Sequence, residues 1–318
     1  MKRLILIKQS NSFDLAHLYE HIFYTHIEEL FYKKHLFQYL DYSLVGKTLY
    51  GTAYLDLELY AEPAIILAKE IPNLTIRLDK DNIAIAASQI LAEEEAPLSS
   101  LGYETVRQAL IDLHNQTWQN ADNIELIDTK KVRKTTRPAF YIAEGKSLPA
   151  RKLQFGVTLN KDFVIQHRVL IPLFRQFAWL IMYNIHGALS DRYGYYSTRE
   201  NFKSTKKVTG LFNAFKVADA YDNDVRLSNN LEACQEVIQS LRQYDAFTRH
   251  MSVLRNISYY NRPNLAPSFE ENYEDTHILI GPKGWQKIAT QENYELLMKH
   301  MSIELKFGHK KVSQRIVN

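Results

Sequence analysis

The chain lacks the residues and runs that mark several large classes of protein. It has one cysteine, Cys234, in 318 residues, which excludes a disulfide framework within the chain and suits a reducing compartment. No apolar segment approaches the length that spans a bilayer. The N-terminal run Leu4-Ile5-Leu6-Ile7 is too short for the apolar core of a secretory signal, and no small-residue cleavage site follows it. These absences predict a soluble, cytoplasmic protein. Dense charge of one sign is missing too. The net charge is +3, and the run Lys130-Lys131-Val132-Arg133-Lys134 reads as a solvated loop, so neither nucleic acid nor a membrane surface is an expected partner. There is no glycine-rich phosphate loop and no serine elbow, and nothing around Cys234 marks it as a nucleophile.

What remains is a globular composition, 46% hydrophobic and 24% charged, long enough for two ordinary domains that each bury a core. The 20 tyrosines and 15 phenylalanines suggest aromatic-lined surfaces or grooves. Met1 to Lys8 reads as a first strand. Ser10-Asn11-Ser12 reads as a turn, and Asp14 as the N-cap of a helix running toward Leu36. Thr48 to Tyr60 alternates apolar and polar residues as one strand. Helices are predicted over Pro63–Ile71, from the cap Asp79 through Ile83–Glu95 to a stop at Pro97, and over Tyr103–Trp118. Ala139 to Ala143 reads as a short strand.

Lys146 to Ala150 reads as a linker, after which the order repeats. A strand at Lys152–Leu159 leads into a long apolar helix over Val164–Leu189. Strand-like segments follow near Tyr195–Phe202 and Val208–Ala218, then a helix from Val225 to Ile257. The chain closes with a helix over Trp285–His300 and a strand at Ile303–Gly308. The expected domains are residues 1–145 and 151–318.

The densest chemistry lies in Ala16-His17-Leu18-Tyr19-Glu20-His21-Ile22-Phe23-Tyr24. In a helix His17 and His21 are four residues apart and share a face, and Glu20 falls on that face as well. Two imidazoles and a carboxylate at one spot suit a divalent metal of the zinc type. The order His-x-x-Glu-His is the inverse of the zincin arrangement and is the inverzincin signature. In that chemistry the two histidines hold the metal, and the glutamate takes a proton from metal-activated water. An amphipathic helix that merely carries two histidines and a glutamate is the plainer alternative, since eleven histidines are scattered along the chain.

The chain resembles the pitrilysin-like metallopeptidases, the family of the mitochondrial and bacterial processing peptidases. Three segments carry the likeness in order: residues 16–24 for the family's Ala-His-x-x-Glu-His with a following aromatic; the acidic helix of residues 79–97; and Leu189-Ser190-Asp191-Arg192-Tyr193-Gly194-Tyr195-Tyr196-Ser197 for the family's Leu-Arg-Glu-Lys-x-Gly-Leu-Ala-Tyr. The resemblance implies an α+β fold of two related halves. Each would be a mostly antiparallel sheet with helices on one face, and the halves would face each other across a cleft.

It also implies a zinc-dependent endopeptidase that cleaves peptides or precursor segments. His17, His21 and a later glutamate would hold Zn2+, and Glu20 would be the catalytic base. Counting from the cap at Asp79 puts the third ligand on Glu93; counting back from Pro97 puts it on Gln89. Glu93 is preferred because an amide is a poor zinc ligand beside a carboxylate. The family's supporting acid is absent on either count, with Ala86 or Asn82 in its place. Its substrate-holding Arg and Tyr fall on Ser190 and Ser197, which leaves Arg192, Tyr195 and Tyr196 as nearby replacements; Arg192 and Tyr196 are the expected substrate-binding residues. The strand Leu49–Tyr60 is the expected peptide-binding edge, with Tyr50, Tyr54 and Tyr60 forming pockets. The alternative function is a degenerate peptide-binding subunit paired with a related chain. Expected partners are peptide substrates and a second copy or related subunit.

Overall fold

The computed structural model describes residues 1–94, 102–119, 151–193, 195–197, 201–217, 226–243, 248–249, 269–307 and 310–316. The predicted strand at 139–143, the linker at 146–150 and the stop at Pro97 lie outside the described residues.

Strand β1 (Lys2–Gln9) leads into helix α1 (Phe13–Lys33). The helix begins at Ser12, whose hydroxyl accepts from the Leu15 N–H. Asp14 was the expected cap; it lies within the first turn and is buried, because Ser12, two residues earlier, has the extended backbone that a cap requires. Strands β2 (Tyr42–Leu49) and β3 (Thr52–Leu59) form a hairpin closed by Tyr50 and Gly51, both at positive φ (50° and 74°). Two left-handed residues make the turn whose twist matches that of the flanking strands. The stretch from Thr48 to Tyr60, expected as one strand, is therefore the end of β2, a turn and β3.

Helices α2 (Glu62–Leu67), α3 (Lys80–Glu94) and α4 (Tyr103–His114) follow. Asp79 precedes α3 as expected and accepts from the Asn82 N–H at 2.9 Å. Next come β4 (Arg151–Asn160), α5 (Lys161–Gln166) and α6 (Ile171–Tyr193). The single long helix expected from Val164 is broken at His167, and α6 restarts just ahead of Pro172, a residue tolerated in a first helical turn. Strands β5 (Tyr196–Ser197), β6 (Asn201–Ser204) and β7 (Val208–Val217) precede α7 (Arg226–Gln243) and α8 (Phe269–Thr276). Helices α9 (Pro282–Ile288) and α10 (Gln291–His300) replace the one helix expected over 285–300, because Thr290 caps a new start through the Asn293 N–H. Strands β8 (Met301–Phe307) and β9 (Lys310–Arg315) end the chain.

The fold is α+β, with helices packed on two antiparallel sheets. Among the described residues one sheet has the order β1-β3-β2; the other runs β5-β7-β4-β8-β9, with β6 also pairing β7. Strand β3 is thus the middle of its sheet, and among the described residues β2 is an edge strand. That corrects the expected peptide-binding edge: the segment 49–60 is flanked on both sides, and Tyr50 is an exposed hairpin tip.

Helix α1 lies on β2 and β3 and is covered by α3, α4 and α6. Leu18, Tyr19, Phe23, Ile27 and Phe31 pack with Leu55, Leu57 and Leu59 in one core, and burying a residue such as Phe23 contributes about 2–3 kcal/mol. A second core gathers Phe155, Phe174, Phe177, Phe215 and Tyr294 around α6 and the larger sheet. Helix α6 touches both α1 and α3.

Candidate metal centre

One stripe of α1 lines a cleft of about 550 Å3: His17, Glu20 and His21, then Tyr24 and Glu28 one and two turns further on. The opposite face of the helix is committed to the core, so the stripe is presented rigidly. Across from it stand β2 residues Leu44 to Leu49, Gln89 and Glu93 of α3, and Tyr183, His186, Ser190 and Tyr196 from the side of the larger sheet.

His17 and His21 bring their Nε2 atoms to 3.2 Å from each other. Glu93 Oε2 lies 3.5 Å from each of them. Three donors at about 2.0–2.1 Å from a tetrahedral ion stand about 3.3–3.4 Å apart, so this triangle has the size that a zinc-type ion requires. Two imidazoles and one carboxylate are also the donor set of catalytic rather than structural zinc, which leaves one position open. The residues present fit the metal. Among the described residues His17, His21 and Glu93 are the one such cluster.

Burial pushes the Glu93 carboxyl up, but whenever His17 and His21 carry protons on the nitrogens that face it, their hydrogen bonds and charge outweigh that and hold it well below the usual carboxylate range. Glu20 behaves oppositely. It is 6% exposed, and burial raises its pKa despite the pull of His21 and His17, with Glu93 adding repulsion. Two carboxylates at one site are thus held apart, one ionised beside the imidazoles and one more readily protonated.

Gln89, the alternative third-ligand position, does not face the Nε2 triangle. Its Oε1 lies 2.9 Å from Nδ1 of His21 and its Nε2 donates to the Ser190 carbonyl at 3.0 Å. Tyr196 lies in the cleft wall. Its phenol is kept protonated by burial first, then by facing Glu93 and Glu20. Arg192 falls on the last turn of α6, and its side chain lies outside the described residues, as does that of Ser197. The Ser190 hydroxyl turns inward to the Tyr195 carbonyl and lies 3.3 Å from His186 Nε2. Tyr195 is buried, with its hydroxyl taken by Asn230.

Gly46 is a site residue that the sequence reading passed over. A Cβ there would overlap Oε1 of Glu20 and press on Tyr24. A glycine inside a strand pattern is a signal of such close approach.

No protein-family model matches the sequence, and no curated protein matches it. Solved structures do resemble the fold. Pitrilysin is 13% identical with a TM-score of 0.30; the match covers 99% of this chain and 44% of pitrilysin, so the chain spans under half of that protein. An M16-like peptidase from Alicyclobacillus acidocaldarius is 12% identical with a TM-score of 0.27, covering 96% of this chain and 92% of its own. The inactive domain of an M16 peptidase from Pseudomonas fluorescens is 13% identical with a TM-score of 0.22, covering 93% and 85%. At this identity the likeness concerns fold alone, and no chemistry passes from those proteins to this chain. No helix among the described residues is long and apolar enough to cross a membrane.

Proposed function

We propose that this chain is a zinc-dependent endopeptidase that acts on extended peptides in the cleft between its two sheets. The observation that carries the proposal is the 3.2–3.5 Å triangle of His17, His21 and Glu93 with the buried Glu20 carboxylate on the same helix stripe. His17, His21 and Glu93 hold the metal. Bound zinc supplies Lewis-acid chemistry, polarising a carbonyl and acidifying water. Glu20 is the general base: its carboxylate takes a proton from the attacking water and delivers it to the leaving amine. The Tyr196 phenol, kept protonated beside Glu93, is a donor aimed into the same space, suited to the oxygen on which charge develops. Arg192 belongs to the proposal as a second substrate-binding residue.

Peptide binds along β2, an edge strand among the described residues, where main-chain hydrogen bonds supply affinity. Leu44, Val45 and Lys47 line the cleft from this strand and give it side-chain preference. The division into halves at 1–145 and 151–318 is part of the same proposal.

The test is mass spectrometry of a diverse peptide mixture incubated with the chain, with and without chelator. Internal cleavages that chelator abolishes and zinc restores support the proposal; an intact mixture in every arm contradicts it.

One observation favours a second reading, a non-catalytic peptide-binding subunit that pairs with a related chain. Ser190, at the position expected to hold substrate, has its hydroxyl turned inward to the Tyr195 carbonyl and its own carbonyl bound to Gln89. Peptide binding without cleavage, with cleavage restored on adding a related subunit, supports that reading.

A further inference from the structure

The side-chain amide of Gln89 is held between two groups of opposite demand. On one side is the backbone carbonyl of Ser190, which can only accept, so the amide must turn its nitrogen there, and that bond is 3.0 Å. The carbonyl end of the amide then faces His21 Nδ1 at 2.9 Å. An amide oxygen can only accept, so Nδ1 must carry the proton. A neutral imidazole carries one, and His21 Nε2 is left with its lone pair. That lone pair points at the one place where it is useful, toward His17 Nε2 and Glu93 Oε2.

The helix geometry explains how one element does both jobs. Gln89 and Glu93 are four residues apart on α3 and share a face. Glu93 meets the Nε2 side of the imidazoles while Gln89 meets the far nitrogen of His21. Gln89 is 4% exposed and Ser190 is 8% exposed, so water does not compete readily for either bond. A glutamate at position 89 would offer acceptors to both neighbours and leave the Ser190 carbonyl without a donor. An apolar residue would leave His21 Nδ1 without an acceptor. The amide satisfies the carbonyl of α6 and the imidazole of α1 together.

We propose that Gln89 is a positioning residue: clamped by the Ser190 carbonyl, its amide fixes His21 in the Nδ1–H tautomer and ties the metal-motif helix to α6. The first half of this statement is independent of the proposed function; its consequence for metal affinity rests on that reading. Partners that orient a metal-binding imidazole typically change affinity by about 10- to 100-fold when removed.

The experiment uses the full chain labelled with 15N-histidine, stripped of metal and held near pH 8. Long-range 15N–1H spectra report the tautomer of each ring, and the His21 signals are assigned by their absence from His21→Asn. The expected result is the Nδ1–H form of His21 in the native chain, retained in Gln89→Glu, where an acceptor remains, and shifted toward the Nε2–H form in Gln89→Leu. A native His21 in the Nε2–H form overturns the proposal, as does a tautomer unchanged in Gln89→Leu. Chelator competition then measures zinc. A loss of about 10- to 100-fold in Gln89→Leu supports the second half, and equal affinities overturn it. A native chain that shows the Nδ1–H form yet takes up no zinc overturns the metal reading alone and supports the clamp.

Discussion

Gly46 of β2 lies so close to Glu20 of α1 that a single methyl group on Gly46 would occupy the position of the Glu20 carboxylate oxygen. The sheet thus presses on Glu20 from behind and sets where its carboxylate points. Gly46→Ala should displace Glu20 while leaving His17, His21 and Glu93 on their own elements. The expected outcome is a fall in kcat of about 100-fold or more, the scale of losing a positioned general base, with zinc stoichiometry and melting behaviour near native. Peptide turnover set beside zinc content checks it. Native kcat in this variant would show that the carboxylate position does not matter.

Glu20→Gln keeps the side-chain shape and removes the base. Turnover should vanish while zinc stays bound, because Glu20 is not among the three donors that face one another. Single-turnover assays with metal analysis of the same sample distinguish this from a folding defect.

His26 gives the fold a pH dependence separate from catalysis. Its Nδ1 lies 2.7 Å from the Ile22 carbonyl and donates to it, while its Nε2 accepts the Arg77 N–H at 2.9 Å. The second bond requires the neutral ring, because a protonated Nε2 cannot accept; the first survives protonation. Burial lowers its pKa; the bond to the Ile22 carbonyl, then Glu29 and Asp79, pull the other way, and Arg77 adds to the lowering. A histidine whose folded pKa lies below its unfolded value of about 6.5 contributes its full stability above that pH. The contribution is lost as pH falls from there toward the folded pKa. Urea unfolding at pH 8 and pH 5 should show a larger acid loss in the native chain than in His26→Gln; identical slopes would refute it.

Arg249 and Asp41 join segments 208 residues apart. Asp41 is 1% exposed and also accepts the Phe37 N–H at 2.9 Å. Arg249→Met leaves that carboxylate buried without its cation. Because Arg249 is itself about one-third exposed, the expected cost is about 1–3 kcal/mol, below that of breaking a fully buried pair. Denaturant midpoints measure it, and an unchanged midpoint would contradict the role.

The metal-motif helix was legible because its pattern is local: His17, Glu20 and His21 fall on one stripe by spacing alone, and Asp79 announces α3. Which of Glu93 and Gln89 faces the Nε2 atoms of the two histidines was not legible. Glu93 and Gln89 share a face, and only the placement of α3 against α1 and α6 decides which group meets Nε2 and which meets Nδ1. The turn at Tyr50-Gly51 was hidden because a tyrosine at positive φ is unusual and the flanking alternation continues through it. The pairing of β9 was hidden too, since Lys310–Arg315 is mostly polar and becomes a strand by lying beside β8. Gly46 shows the same limit: its meaning lies in a contact with a helix 26 residues earlier in the chain.

Zinc stoichiometry tests the central claim most directly. The native chain, purified without chelator and dialysed against trace zinc, should hold about one equivalent, as a preformed three-ligand site requires. His21→Ala and Glu93→Ala, each folded by circular dichroism, should hold less than about a tenth of that. A native chain that retains no zinc, or variants that retain as much as the native chain, would contradict the assignment of His17, His21 and Glu93 as a metal centre.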